Sequence, residues 1–155
     1  MSQLPIGAHA PDFELKDAGG RSCRLSTSLS RGPVILVFYK GSCPTCQFTF
    51  PHIQRIIAGA GKDWGAQIWA ISQDDAEETR QFAARFGIGF NILIDEYPYD
   101  VSSEYKIGFV PSVFVIEPDG KISFSDNGFT KSSLNRIAGF ELFTPNDGLP
   151  ASRPG

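Results

Sequence analysis

Two cysteines stand two residues apart in "GSCPTCQFTFP", residues 41–51. The motif Cys43-Pro44-Thr45-Cys46 follows the apolar run "PVILVFY" and opens a stretch of helical pattern. Proline disfavours helix at the residue before it and suits the first helical position, so Pro44 makes Cys43 the expected N-cap. An N-cap side chain faces the backbone N–H groups two and three residues on, here those of Thr45 and Cys46. Those donors and the positive helix end favour a thiolate over a thiol. Cys46 lies one turn inside without that advantage, where burial is expected. The asymmetry suggests a chemistry. Cys43 attacks a partner's sulfur, and Cys46 resolves the mixed disulfide, leaving a Cys43–Cys46 bridge.

The same residues admit other readings. A CxxC is half of a zinc site, but only Cys23, His9 and His52 remain as further ligands and none stands in a ligand spacing, so no metal is expected. Two incidental core thiols would not need the strand-to-helix junction, which is where an activated thiol belongs. Three cysteines are too few, and too odd, for a disulfide framework. Cys23 alternates with Leu25 and reads as a small core hydrophobe. "AGAGK" (58–62) lacks the first glycine and the Ser/Thr of a phosphate loop, and the acids of 74–78 at a helix start need no cation.

The elements that must position the pair follow from patterning. The chain has 155 residues, 41% hydrophobic and 20% charged, which suits one domain with a real core. A net charge of −3 without a basic face excludes a phosphate-backbone reader, and no apolar run approaches the roughly 20 residues of a membrane helix. The N-terminus carries no secretory pattern, so the cytoplasm is expected, or the periplasm if a signal segment has been removed. "DFELKDAGGRSCRLS" reads as a hairpin, with Phe13 and Leu15 on one strand and Cys23 and Leu25 on the other. Residues 33–39 and 66–72 read as buried strands, 44–58 as a helix ended by Gly59 and Gly61. The segment from Asp74 reads as a helix with a capping-box spacing Asp74/Glu77 and Gly87 as its αL stop. "FNILID" reads as a strand, "DVSSEYKIG" as a short helix, and "SVFVIEPDGKISFS" as a hairpin turning at Pro118-Asp119-Gly120. "TKSSLNRIA", started by Thr130, reads as the last helix. The expected organisation is one α/β domain over 1–143, a mixed sheet with helices on both faces, and a Pro/Gly-rich tail over 144–155 laid on the surface or without order.

Taken together these segments resemble the thioredoxin superfamily. The likeness is to its redoxin branch, the alkyl hydroperoxide reductase/thiol-specific antioxidant (AhpC/TSA) family and related bacterial thiol–disulfide reductases. "GAHAPDFELKDAGGRSCRLS" matches the branch's N-terminal hairpin, and "VILVFYKGSCPTC" its active-site strand and motif. "WAISQDDAEETRQFAARFGIGFNILID" matches the inserted strand–helix–strand, and "YKIGFVPSVFVIEPDGKI" the segment holding its cis-proline. The resemblance implies a thioredoxin-like fold with an added N-terminal hairpin and no bound cofactor. It implies a cis bond at Val110-Pro111 facing the active site, with Val110, Pro111, Pro44 and Thr45 meeting an extended substrate segment. Pro51 fits the family's helix proline. Partners would be protein thiols and disulfides and an upstream dithiol reductant, with no nucleic acid and no membrane. The chain itself would be a monomer or weak dimer.

The sequence also departs from that pattern. The buried acid six residues before the first cysteine is Val37 here, the glutamate three residues after the second is Thr49, and the preceding tryptophan is Ser42. Without an acceptor for the Cys46 proton, resolution is expected to depend on solvent hydroxide. The peroxidase motif Pro-x-x-x-Thr-x-x-Cys fails at both cysteines: Leu36 and Lys40 stand before Cys43, Tyr39 and Cys43 before Cys46. Thiol–disulfide exchange is therefore the expected activity. A thiol peroxidase and a non-catalytic thioredoxin-like binding module are the alternatives.

Overall fold

The computed structural model describes residues 3–60, 64–138 and 147–154. Nine strands and five helices follow in the order β1 (Glu14–Asp17), β2 (Ser22–Arg24), α1 (Leu25–Leu29), β3 (Val34–Tyr39), α2 (Pro44–Gly59), β4 (Gln67–Ser72), α3 (Ala76–Phe86), β5 (Asn91–Ile94), α4 (Asp100–Glu104), β6 (Ser112–Ile116), β7 (Ile122–Asn127), β8 (Phe129–Thr130), α5 (Lys131–Ala138) and β9 (Ser152–Arg153) among the described residues. The main sheet runs β2-β1-β5-β4-β3-β6-β7. Strands β3, β4 and β5 are parallel, while β6, β7 and the β1–β2 hairpin join antiparallel. This is the mixed sheet expected from the alternation of strands and helices, in the thioredoxin-like arrangement that the resemblance implies.

Strand β3 lies at the centre, between β4 and β6, and all six of its residues are buried. Its pleat divides them between two cores. Val34, Leu36 and Phe38 pack on one face with Leu25 and Leu29 of α1, Val101 of α4 and Tyr105 at its C-cap. Ile35, Val37 and Tyr39 pack on the other with Cys46, Phe50 and Ile53 of α2 and Phe82 of α3. A continuous apolar run is what a strand covered on both faces requires. The register Tyr39↔Ser72 sets the loop after β3 beside the loop after β4, and the active-site motif follows directly from that loop.

Three local expectations need correction. The second hairpin strand stops at Arg24, and Leu25 opens the helix α1 with its side chain buried. Gly59 belongs to α2, whose C-cap is Ala60; Gly61 lies outside the described residues. The cap of α3 is Asp75, which accepts the Glu78 N–H at 2.8 Å, so the capping spacing is shifted by one residue from Asp74/Glu77. Thr130, the last residue of β8, stands immediately before α5, in the starting position expected of it. Gly87 holds the left-handed C-cap of α3, φ 66°. The boundary drawn at 143/144 lies outside the described residues. Beyond it, β9 returns to pair with β8, and Lys131 N–H donates to the Ala151 carbonyl at 3.0 Å.

Candidate active site

Pro44 occupies the first helical position and Cys43 the N-cap, with an extended backbone at φ −78° and ψ 118°. Of the two donors expected at the cap, the Cys46 N–H meets the Cys43 sulfur, at 3.3 Å. The Cys43 thiol also faces the Val110 carbonyl, to which it donates at 3.5 Å. Cys43 is half-buried, whereas Cys46 is 0% exposed among Val37, Tyr39 and Phe50. Burial pushes the Cys46 thiol far up, because the apolar surroundings penalise a thiolate. The Lys40 backbone partly opposes this, while the neighbouring Cys43 and, more weakly, the negative charge of Asp74 add to it.

Val110-Pro111 is a cis peptide on the wall opposite the helix start. Pro111 is buried, Val110 half-buried and Pro44 exposed. Phe109, which precedes Val110 in the chain, is 61% exposed. Thr45 is buried, and its hydroxyl donates to the Pro154 carbonyl at 2.6 Å. The C-terminal segment therefore lies along the first turn of α2, where the Arg153 guanidinium also sits 5.0 Å from the centre of the Phe48 ring. Val37 and Thr49 are both fully buried. The Thr49 hydroxyl bonds back to the Thr45 carbonyl at 2.6 Å, so neither position offers Cys46 a base. His52, Cys23 and His9 stand apart from the pair: Cys23 pairs opposite Leu15 in the hairpin, and His9 bridges to Lys121.

The loop ahead of Cys43 is held on both sides. Gln47 Nε2 donates to the Gly41 carbonyl at 2.7 Å, and the Gly41 N–H donates to Asp74 Oδ2 at 2.8 Å. Sequence reasoning spent Asp74 on the helix cap and missed this contact. The signal available was the doubled acid Asp74-Asp75: one residue suffices for a cap, leaving the other for a different partner.

The AhpC/TSA family model matches residues 6–125, which include both cysteines and the Val110-Pro111 peptide. The chain belongs to the AhpC/TSA family. Among the relatives of this AhpC/TSA chain is the thiol-disulfide oxidoreductase ResA of Halalkalibacterium halodurans. It is 33% identical over 141 residues, covering 90% of this chain and 77% of the relative. The thioredoxin domain of a thiol-disulfide oxidoreductase from Bacteroides vulgatus shares the fold. Its TM-score is 0.77 at 22% identity, over 88% of this chain and 96% of that one. The peroxidoxin BcpB of Mycobacterium tuberculosis is similar with a TM-score of 0.66 at 27% identity, over 79% of this chain and 84% of that one. Together with the CxxC pair at the helix start, these relatives make this AhpC/TSA protein an enzyme of the thiol–disulfide oxidoreductase class. No helix among the described residues is long and apolar enough to cross a membrane.

Proposed function

We propose that the protein reduces or exchanges disulfides in other proteins, with Cys43 as nucleophile and Cys46 as resolving thiol. The observation that carries the reading is the half-exposed Cys43 sulfur at the N-cap, bonded by the Cys46 N–H and facing the Val110 carbonyl. A Cys43 thiolate attacks one sulfur of a partner disulfide and displaces the other as a thiolate, which takes a proton from water. Cys46 then attacks Cys43, the bond to the partner breaks, and two electrons have passed from the dithiol to the partner. Once Cys43 is ionised or bonded to a partner it no longer donates to Val110. That carbonyl is then open to an extended partner segment pairing strand to strand. Pro44, Val110, Pro111 and the exposed Phe109 form the contact surface. The Thr45 hydroxyl is occupied by Pro154, so Thr45 contributes through its backbone.

An upstream dithiol protein returns the electrons, no bound cofactor takes part, and the chain acts as a monomer or weak dimer. The cytoplasmic placement belongs to the same reading and is checked by fractionation of cells carrying the native gene. The test of function is reduction of an insulin-like disulfide by the protein with a dithiol donor. Cys46→Ser accumulates mixed disulfides and Cys43→Ser is inert. Fast consumption of hydrogen peroxide with first oxidation at Cys43, and no turnover of the protein disulfide, would instead establish the peroxidase reading that the likeness to BcpB raises.

A further inference from the structure

A cavity of about 490 Å³ lies between the β2–α1 junction and the starts of β4 and β5. Because β3 and β4 run parallel and the cysteine motif follows the end of β3, this is the opposite end of the sheet from the thiol pair. The volume falls within the range of small-molecule sites, roughly 300–1,000 Å³. We propose that the cavity binds a small organic dianion, a dicarboxylate or a phosphate monoester, between the guanidiniums of Arg21 and Arg31. The site is separate from the dithiol, and the proposal does not rest on the exchange chemistry above.

The charges around the cavity do not balance. Arg21, Arg24 and Arg31 line it, against one carboxylate, Glu14. Arg24 is held by Glu14 at 2.9 Å and by Asp12 at 3.2 Å. The guanidiniums of Arg21 and Arg31 have no ion-pair or hydrogen-bond partner among the described residues. Asp17 turns one oxygen to the backbone N–H groups of Gly19 and Arg21, each at 2.9 Å. A chain whose net charge is −3 therefore leaves two cations uncompensated at a single cavity.

Two buried donors point to the same class of ligand. Ser28 is 5% exposed and Trp69 1%, and both line the cavity. Neither the Ser28 hydroxyl nor the Trp69 indole N–H donates a hydrogen bond among the described residues. Buried polar groups nearly always have a partner, and the oxygens of an anion supply one here. A guanidinium fork holds a carboxylate or phosphate through paired N–H bonds, which two unpaired arginines provide twice over. Gln67, the first residue of β4, adds an amide, and the Trp69 ring gives the carbon skeleton an apolar wall. Cys23 lies on the same wall. Its half-buried thiol is raised chiefly by burial and then by the charge of Asp17, so it lines the site without attacking the ligand, and it serves as a built-in probe of occupancy.

The experiment alkylates the full chain with iodoacetate, an anion, or with neutral iodoacetamide, and reads Cys23 by peptide mapping. The ratio of the two rates cancels the ionisation of the thiol itself, and the urea-unfolded chain gives the reference ratio. At Cys23 of the folded protein the iodoacetate-to-iodoacetamide ratio should exceed that reference by about tenfold, the attraction that two unit charges a few ångströms away exert on a monoanion in water. Calorimetric titration with succinate and with glycerol phosphate should show saturable binding, and the tighter of the two assigns the ligand class. That dianion, at about ten times its Kd, should slow both reagents at Cys23 about tenfold, while neutral succinamide does not. In Arg21→Gln/Arg31→Gln the ratio should fall to the unfolded value and the calorimetric binding should disappear. A folded-state ratio at or below the reference would overturn the proposal. So would protection by succinamide equal to that by the dianions, or binding that survives in the double variant. Absence of saturable heat with both dianions overturns it as well, and this reading does not depend on how fast Cys23 reacts.

Discussion

Reduced protein should lose stability as the pH rises through the thiol range, and Cys46 supplies a separable share of that loss. The Cys46 side chain is 0% exposed, and burial raises its thiol above the ordinary value, so the folded state keeps the proton longer than the unfolded chain does. A group raised in the folded state contributes its full stabilisation below the unfolded value and loses it as pH climbs. The unfolded thiol ionises near about 8.5, and each pH unit beyond it is worth about 1.36 kcal/mol. At pH 10, about 1.5 units higher, the loss from Cys46 alone reaches about 2 kcal/mol. Tyr39 and Tyr105 are also raised, chiefly by burial, and add to the alkaline loss. They are present equally in a Cys46→Ala variant, which isolates the thiol. The assay is urea unfolding at pH 7, 8, 9 and 10 in a phosphine reductant, comparing the pH slope of wild type with that of Cys46→Ala. The variant is less stable throughout, because a cavity replaces the sulfur. The wild type should approach it by about 2 kcal/mol between pH 7 and pH 10. Parallel slopes would refute the argument, since they would mean that Cys46 ionises in the folded protein as readily as in the unfolded chain.

Two further outcomes are expected. Iodoacetamide near neutral pH, followed by peptide mapping, should modify the half-buried Cys43 first. Cys23 should follow, its thiol raised mainly by burial and by Asp17, and Cys46 should be modified last; early labelling of Cys46 would place the helix register in error. The Tyr39 hydroxyl is buried beside Ser72 and Thr79, but those two bond each other at 2.9 Å and, among the described residues, nothing meets the tyrosine oxygen at hydrogen-bonding geometry. Tyr39→Phe should therefore leave stability unchanged or raise it by about 1 kcal/mol, whereas Tyr105→Phe, which removes a 2.6 Å bond to the Pro11 carbonyl, should lower it by about as much. Thermal unfolding of the two variants checks both signs.

Much of the molecule was legible in the sequence because it depends on local chemistry. The apolar run of β3 must be buried on both faces, and Pro44 after Cys43 sets the helix start. Gly87 allows the left-handed stop of α3, and Pro118-Asp119-Gly120 turns the last hairpin. Each of these rests on backbone preferences that a few neighbouring residues determine. The family resemblance extended the reading to the distant Val110-Pro111 peptide, which motif spacing alone does not bring to the cysteines.

Contacts between segments far apart in the chain were not legible. Asp74 and Asp75 are equivalent as helix caps in sequence. Only the parallel register of β3 on β4 brings the loop holding Asp74 against Gly41, which leaves the cap to Asp75. The Thr45 hydroxyl looked available to a substrate until the pairing of β9 with β8 carried Pro154 onto it, 109 residues away in the chain. The sequence by itself determined which sulfur attacks in the proposed chemistry, because an N-cap is a property of one helix turn. Only the tertiary structure decided what surrounds the second sulfur, because burial and charge at Cys46 come from β3, the loop ahead of Cys43 and the β4–α3 turn together, and no spacing along the chain encodes their meeting.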